Sequence, residues 1–273
     1  MTGPGSLRLG VSNLAWTPER AAEALELLAR LGVMGIEAAP TRIADCDQLD
    51  AAAVAGYRRQ VEDAGLRVCS LQAILFGRPD VQLLADEAAF LAMAEHMRRV
   101  AAVAEGLGAG VAVLGAPRNR TRGALAVAEA EALAAERLRV LGDIAAPAGL
   151  TIGLEPVPAR YGADFMLRAT DVRRVVDLCG HPAIRTHLDC ACVMLGDDDI
   201  GAEIAATGPR LAHYHIAEPE LGTFDAPVCA HGAAAAALAA AGYAGWAVIE
   251  MRERPDGLAA LGRAIRFAQG AYC

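Results

Sequence analysis

Short apolar runs alternate along the chain with longer stretches of helical periodicity, and no break in composition marks a linker. The apolar runs predict strands at residues 7–11, 35–38, 67–71, 110–114, 151–155, 184–189, 211–216 and 246–250. Between the first two, Thr17 followed by Pro18 reads as a capping hydroxyl with a proline at the first helical position, and the helix it opens runs to Leu31 and stops at Gly32. A second helix covers 51–64 and closes at Gly65. The third is the clearest: Phe90, Met93, Ala94, Met97, Val100, Ala101 and Ala104 fall on one face of a 3.6-residue repeat. A fourth covers 125–146, a fifth is capped by Thr170-Asp171 and ends near Gly180, further helices precede the last two strands, and a final one covers 258–269.

Eight strands interleaved with helices predict a (β/α)8 TIM barrel spanning residues 1–273 as a single domain. The competing architecture, an open doubly wound sheet holding a dinucleotide, needs a glycine-rich turn between the first strand and first helix. That stretch reads Ser12-Asn13-Leu14-Ala15-Trp16, and the close-set Gly106, Gly108 and Gly110 follow a helix and precede a strand, the reverse order.

Composition narrows the chemistry. Hydrophobic residues make up 55% of the 273, which excludes disorder, and a net charge of −8 argues against nucleic acid or an anionic membrane surface as partner. No apolar run reaches membrane-spanning length before a charge interrupts it. All 25 basic residues are Arg, so Schiff-base chemistry, pyridoxal-phosphate anchoring and a Walker-A phosphate loop, each needing lysine, are excluded. Seven scattered cysteines (Cys46, Cys69, Cys179, Cys190, Cys192, Cys229, Cys273) and no leader ahead of Leu7 predict a reduced, cytoplasmic protein whose thiols fill the core. The one-residue gap of Cys190-Ala191-Cys192 is not the spacing of a thiolate ligand pair.

In a barrel the reactive groups project from the C-terminal ends of the strands. There the last four strands read Leu154-Glu155, Leu188-Asp189, His213-Tyr214-His215 and Ile249-Glu250. Glu155, Asp189, His215 and Glu250 are spaced 34, 26 and 35 residues apart, about one βα unit each, which sets them side by side on one rim. Three carboxylates and an imidazole converging in a semi-buried mouth repel unless a cation lies among them. Oxygen-rich ligation with one nitrogen suits Mn²⁺ first, with Mg²⁺, Co²⁺ and Zn²⁺ as alternatives. His213 shares the face of His215 and reads equally as a core histidine. A metal-dependent amidohydrolase would carry its His-x-His on the first strand instead.

The chain resembles the xylose-isomerase-like sugar phosphate isomerases and epimerases. The resemblance rests on Glu155-Pro156, Leu188-Asp189, His213-x-His215 with Glu218-Pro219, and Gly242-Tyr243-x-Gly245-Trp246-x-x-Ile249-Glu250-Met251. It extends through Ser12-Asn13-x-x-Trp16, Gly35-Ile36-Glu37 with Pro40, Phe76-Gly77-Arg78-Pro79, Gly115-x-Pro117-Arg118-Asn119-Arg120 and Tyr161-Gly162-x-Asp164-Phe165. It implies a metal site of Glu155, Asp189, His215 and Glu250, with Glu155 and Glu250 doubling as the acid/base pair. A cation holding a carbonyl and its neighbouring hydroxyl stabilises the cis-enediolate formed when the α-proton leaves. Returning the proton from the other face inverts the carbon, and delivering it to the adjacent carbon exchanges aldose and ketose. The substrate contacts implied are Asn13, Trp16, Glu37, Gln72, Arg118, Tyr161, His187, Glu218, His231 and Arg252, with a small-molecule carbohydrate as partner and self-association as in many relatives.

Two departures speak against free ketohexoses. Cys192 stands where those epimerases have a histidine, and Pro219-Glu220-Leu221 where they have an arginine; His231 and Arg252 are the candidate replacements. Arg118 and Arg120, flanking Asn119, read either as a bidentate grip on phosphate or carboxylate or as solvated loop charges. Trp16 and Phe76 read either as covers for a sugar ring or as packing. The rival functions are a dehydratase, lyase or hydrolase on the same barrel, and a sugar-binding scaffold without turnover. Six histidines and an acidic balance fit a DNA endonuclease poorly, and a scaffold has no need of a two-faced acid/base pair.

Overall fold

A computed structural model describes residues 7–45 and 49–273; Cys46 and the first six residues of the expected domain lie outside the described residues. The eight strands β1 (Arg8–Ser12), β2 (Gly35–Ala38), β3 (Arg67–Leu71), β4 (Val111–Leu114), β5 (Thr151–Leu154), β6 (Ile184–Asp189), β7 (Leu211–Ala217) and β8 (Trp246–Glu250) close into a parallel barrel in sequence order. Closure is by β1 against β8, with Leu9 opposite Ala247 and Val11 opposite Ile249. Around it stand α1 (Ala21–Arg30), α2 (Ala51–Asp63), α3 (Glu87–Leu107), α4 (Val127–Ala145), α5 (Ala169–Cys179), α6 (Cys190–Leu195), α7 (Ile200–Thr207), α8 (His231–Ala240) and α9 (Leu258–Tyr272). The architecture is the expected (β/α)8 barrel.

The strands are buried on both faces, which is why they read as near-continuous apolar runs rather than alternating ones. The larger core fills the space between the sheet and the helices. There α3 buries all seven residues of its predicted stripe, starts at the Asp86 side chain, which accepts from Ala89 N–H, and stops at Gly108 in the left-handed region. A smaller core of Cys69, Trp246 and Val248, with Met34 against it, lies apart from the larger one. Gly35 makes room for the Trp246 ring, which a Cβ at that position would strike.

Two local expectations, the caps at Thr17 and at Thr170, need correction. Thr17 makes no side-chain cap; Pro18–Arg20 form a 3₁₀ turn, and α1 begins only at Ala21. The cap of α5 is Arg168, whose N–H donates to Asp171, and Thr170 lies inside the helix. Between β6 and β7 there are two helices, because Asp189 ends β6 and at once caps α6 by accepting from Cys192 N–H. Among the described residues no helix is long and apolar enough to cross a membrane.

Candidate metal centre and active site

Alternation along the strands decides which side chains enter the barrel. On β6 these are His187 and Asp189, on β7 His213 and His215, and on β8 Glu250, while Glu155 follows directly on β5. Two of the strand pairings shift register at functional residues, β2 against β3 at Ile36/Glu37 and β6 against β7 at Thr186/His187. Such irregularities re-aim side chains next to active sites.

The four predicted ligands meet. His215 Nδ1 lies 3.7 Å from Asp189 Oδ2 and 3.4 Å from Glu250 Oε2. Glu155, Asp189 and His215 each offer a donor atom within 4.8 Å of the other two. Among the described residues no arginine forms an ion pair with these carboxylates: the buried guanidinium of Arg120 donates instead to the main-chain oxygens of Glu155 (2.7 Å) and Leu114 (3.5 Å). Burial, then the charges of Asp189 and Glu250, push the Glu155 carboxyl up to about 8. Glu250 is raised as well, by burial first, against the pull of His215. A divalent cation among these atoms removes that pressure, so the donor set fits the metal that its chemistry predicts.

Beneath the quartet lies a layer of buried polar groups. Glu37, fully buried, sets Oε1 2.8 Å from His215 Nε2, off-axis for a hydrogen bond but at ion-pair distance. Its Oε2 accepts from Ser70 Oγ at 2.8 Å and pairs with His213 Nε2 at 2.9 Å. Burial alone would raise Glu37, yet His215 and His213 hold it well below the usual carboxylate range. His215 is held well above the usual imidazole range because Glu37 and Glu250 outweigh its burial. With Nδ1 facing the quartet and Nε2 facing Glu37, His215 has the carboxylate–histidine arrangement that orients a metal ligand. His187 is fully buried, with Nε2 3.9 Å from Glu155 Oε1 and its ring 4.2 Å from that of His215, and burial keeps it neutral.

A cavity of about 570 Å³ opens from Glu155, His215 and Glu250 along the loops after β3 and β4. Of the residues expected against substrate, Gln72 and Arg118 line it; the other eight do not. Glu37 and His187 lie below the floor, as described. Asn13 is buried, accepts from Ala39 N–H at 2.9 Å and so pins the end of β2. Trp16 packs into the core at 4% exposure. Tyr161 accepts from Glu220 N–H, which ties the β5–α5 loop to the segment after β7. Arg252 is exposed, and Glu218 and His231 are buried against each other at 2.7 Å, away from the cavity. Arg120 and Asn119 do not grip an anion; their side chains serve the main chain of Glu155, Arg78 and Val81. Phe76, 69% exposed, lines the cavity, as do Ile74, Pro79 and Pro117. The residue missed is Gly115: a Cβ there would collide with the Glu155 carboxylate. The only sequence signal for it was a glycine directly after a strand.

A family model described as xylose isomerase-like TIM barrel matches residues 25–269. No curated protein matches the chain. Among solved structures, the 3-keto-D-glucoside 4-epimerase of E. coli superimposes with a TM-score of 0.78 at 20% identity, over 97% of this chain and 100% of that one. A D-allulose 3-epimerase from Methylomonas sp. gives 0.77 at 23% identity, over 100% and 99%. A D-psicose 3-epimerase gives 0.82 at 18% identity, over 97% and 99%. At these identities the likeness is one of fold.

Proposed function

The chain belongs to the xylose isomerase-like TIM barrel family, and from that premise we propose that it is a divalent-metal-dependent isomerase or epimerase of a carbohydrate or sugar derivative. The observation that carries the reading is the convergence of Glu155, Asp189, His215 and Glu250 on one buried centre at the open end of the barrel. The sugar epimerases among its structural neighbours support the substrate class.

Glu155, Asp189, His215 and Glu250 would hold the cation, Mn²⁺ ahead of Mg²⁺, Co²⁺ or Zn²⁺. When bound, it supplies Lewis-acid stabilisation of the negative charge that develops beside the carbon losing its proton. The chain's own residues do the rest. Glu155 and Glu250 enter from β5 and β8, flanking Asp189 and His215 in the order of the barrel. One takes the proton next to the carbonyl; the other returns it, to the same carbon for epimerisation or to its neighbour for isomerisation. Glu37 fixes the orientation of His215, and Gln72 and Arg118 face the bound sugar.

The test is exchange of substrate hydrogen with deuterated solvent across a panel of ketoses and keto-glycosides in the presence of Mn²⁺. Wild-type protein incorporates deuterium, and Glu155→Gln and Glu250→Gln do not; exchange retained in both variants overturns the acid/base assignment. Release of water with a new ultraviolet-absorbing carbonyl product would assign a dehydratase instead.

A further inference from the structure

The strands that turn Asp189, His213 and His215 into the barrel turn their immediate neighbours outward. Cys190 follows Asp189, and Tyr214 lies between the two histidines. Away from the cavity stands a second group of chemistry-bearing residues: Glu218 just past β7, Cys229 in the loop before α8, and His231 at the start of α8. Glu218, Cys229 and His231 each place a donor atom within 4.8 Å of the other two, and all three are buried. Cys190, buried at the start of α6, is not among the three that share this spacing. None of the three lines the cavity at the barrel mouth.

The surroundings are those of a ligand shell. His231 turns Nε2 to Glu218 Oε1 at 2.7 Å and Nδ1 to the Tyr272 hydroxyl, also at 2.7 Å. That hydroxyl is in turn 3.2 Å from the hydroxyl of Tyr214. One imidazole nitrogen is thus anchored from behind while the other faces thiol and carboxylate, the support that orients a ligating histidine. Glu218 is held in place by Val228 N–H (2.9 Å) and Cys229 N–H (3.2 Å). Around a tetrahedral zinc ion adjacent N and O ligands stand roughly 3.3 Å apart, so the Nε2–Oε1 contact has to open by only a fraction of an ångström.

We propose that Glu218, Cys229 and His231 form a second metal site, separate from the one at the mouth, that takes Zn²⁺ and ties the segment after β7 to the start of α8. One sulfur, one nitrogen and one oxygen suit zinc, whereas the oxygen-rich mouth selects harder ions.

The experiment uses the full-length protein loaded with Co²⁺, in which thiolate ligation gives a near-ultraviolet charge-transfer band that carboxylate and imidazole ligands cannot produce. The wild-type protein is expected to show the band, Glu250→Gln to keep it, and Cys229→Ser to lose it. Zinc analysis is expected to find about one ion per chain that survives mild chelation of the mouth metal. Should the serine variant fail to fold, the wild-type spectrum decides alone. Cobalt bound without a thiolate band overturns the site, and so does the loss of two titratable thiols in the unreduced, denatured protein, which would mark a disulfide at Cys229. None of these readouts depends on turnover at the mouth, so the site stands or falls independently of the proposed isomerase activity.

Discussion

The two halves of the barrel divide the labour unequally. Strands β5–β8 supply all four members of the quartet, whereas β1–β4 supply none and instead give the walls of the cavity through the loops after β3 and β4. Glu37 is the exception that joins the halves: it leaves β2, crosses the interior and meets His215 and His213 of β7. One half therefore holds the reacting groups and the other decides what reaches them and how firmly they are held.

The sharpest way to break that comparison is to disarm the chemical half. Glu155→Gln or Glu250→Gln is expected to lower kcat by about 10²–10⁴-fold, the usual worth of a positioned general acid or base. Circular dichroism should be unchanged, because each substitution keeps the side chain's shape, and the comparison is made at saturating Mn²⁺, because each also removes a charged metal ligand. A loss of less than tenfold in both would move the chemistry elsewhere in the barrel.

The shaping half should matter almost as much at one point. Gly115 follows β4 and leaves the space that the Glu155 carboxylate fills. Gly115→Ala is expected to displace that carboxylate and cost on the order of 10² in kcat/KM, since an ångström of misplacement at a reacting group has that effect. The melting temperature should barely move. Wild-type turnover in Gly115→Ala would show that Glu155 is not where the reaction occurs.

Glu37 tests the bridge between halves. Glu37→Gln keeps the size of the side chain but removes the charge facing His215, and metal affinity at the mouth is expected to fall about 10–100-fold, the usual cost of losing the partner behind a metal-bound histidine. Added Mn²⁺ should restore most of the activity, which separates weakened metal binding from lost chemistry.

How much of this was legible before folding follows the same divide. The quartet could be read because each member closes an apolar run and the spacing matches one βα unit, both local signals. Glu37 could be found but not placed. An acidic residue after Gly35-Ile36 looks like a rim contact, and only the register shift at Ile36/Glu37 and the closure of the barrel show it facing a histidine 178 residues later. Trp16, His231 and Glu218 could not be placed for a related reason: proximity to a strand end says nothing about which side of the wall a side chain takes once the strand is over, and none of the three lines the cavity. Cap chemistry at Thr17 and Thr170 failed because a hydroxyl before a helical pattern competes with 3₁₀ turns and with neighbouring acidic residues.

A smaller effect is expected at the cavity wall. Phe76 presents its ring to the opening at 69% exposure and touches none of the quartet. Phe76→Ala is expected to raise KM by a few fold and leave kcat unchanged, the signature of lost uniform binding, because only part of one aromatic face is covered by a ligand. A fall in kcat of equal size would instead draw Phe76 into the reacting geometry.

The smallest effect lies behind that wall, in stability. His96 on α3 braces the β3–α3 loop: Nδ1 accepts from Arg78 at 2.8 Å, so Nε2 carries the proton donated to Ile74 O at 2.7 Å. Burial is the first cause that holds His96 below the ordinary imidazole value, with the positive charges of Arg78 and Arg99 adding to it. A histidine whose folded value is depressed binds its proton more readily in the unfolded chain, so its contribution is present above about 6.5 and is lost as pH falls below that. Wild-type protein should therefore lose melting temperature between neutral pH and about pH 5, and His96→Gln should flatten part of that slope while lowering stability at neutral pH. Parallel slopes in the two proteins would show that His96 titrates freely, leaving the Arg78–Asp80 pair, at 2.6 Å, as the brace that carries the loop.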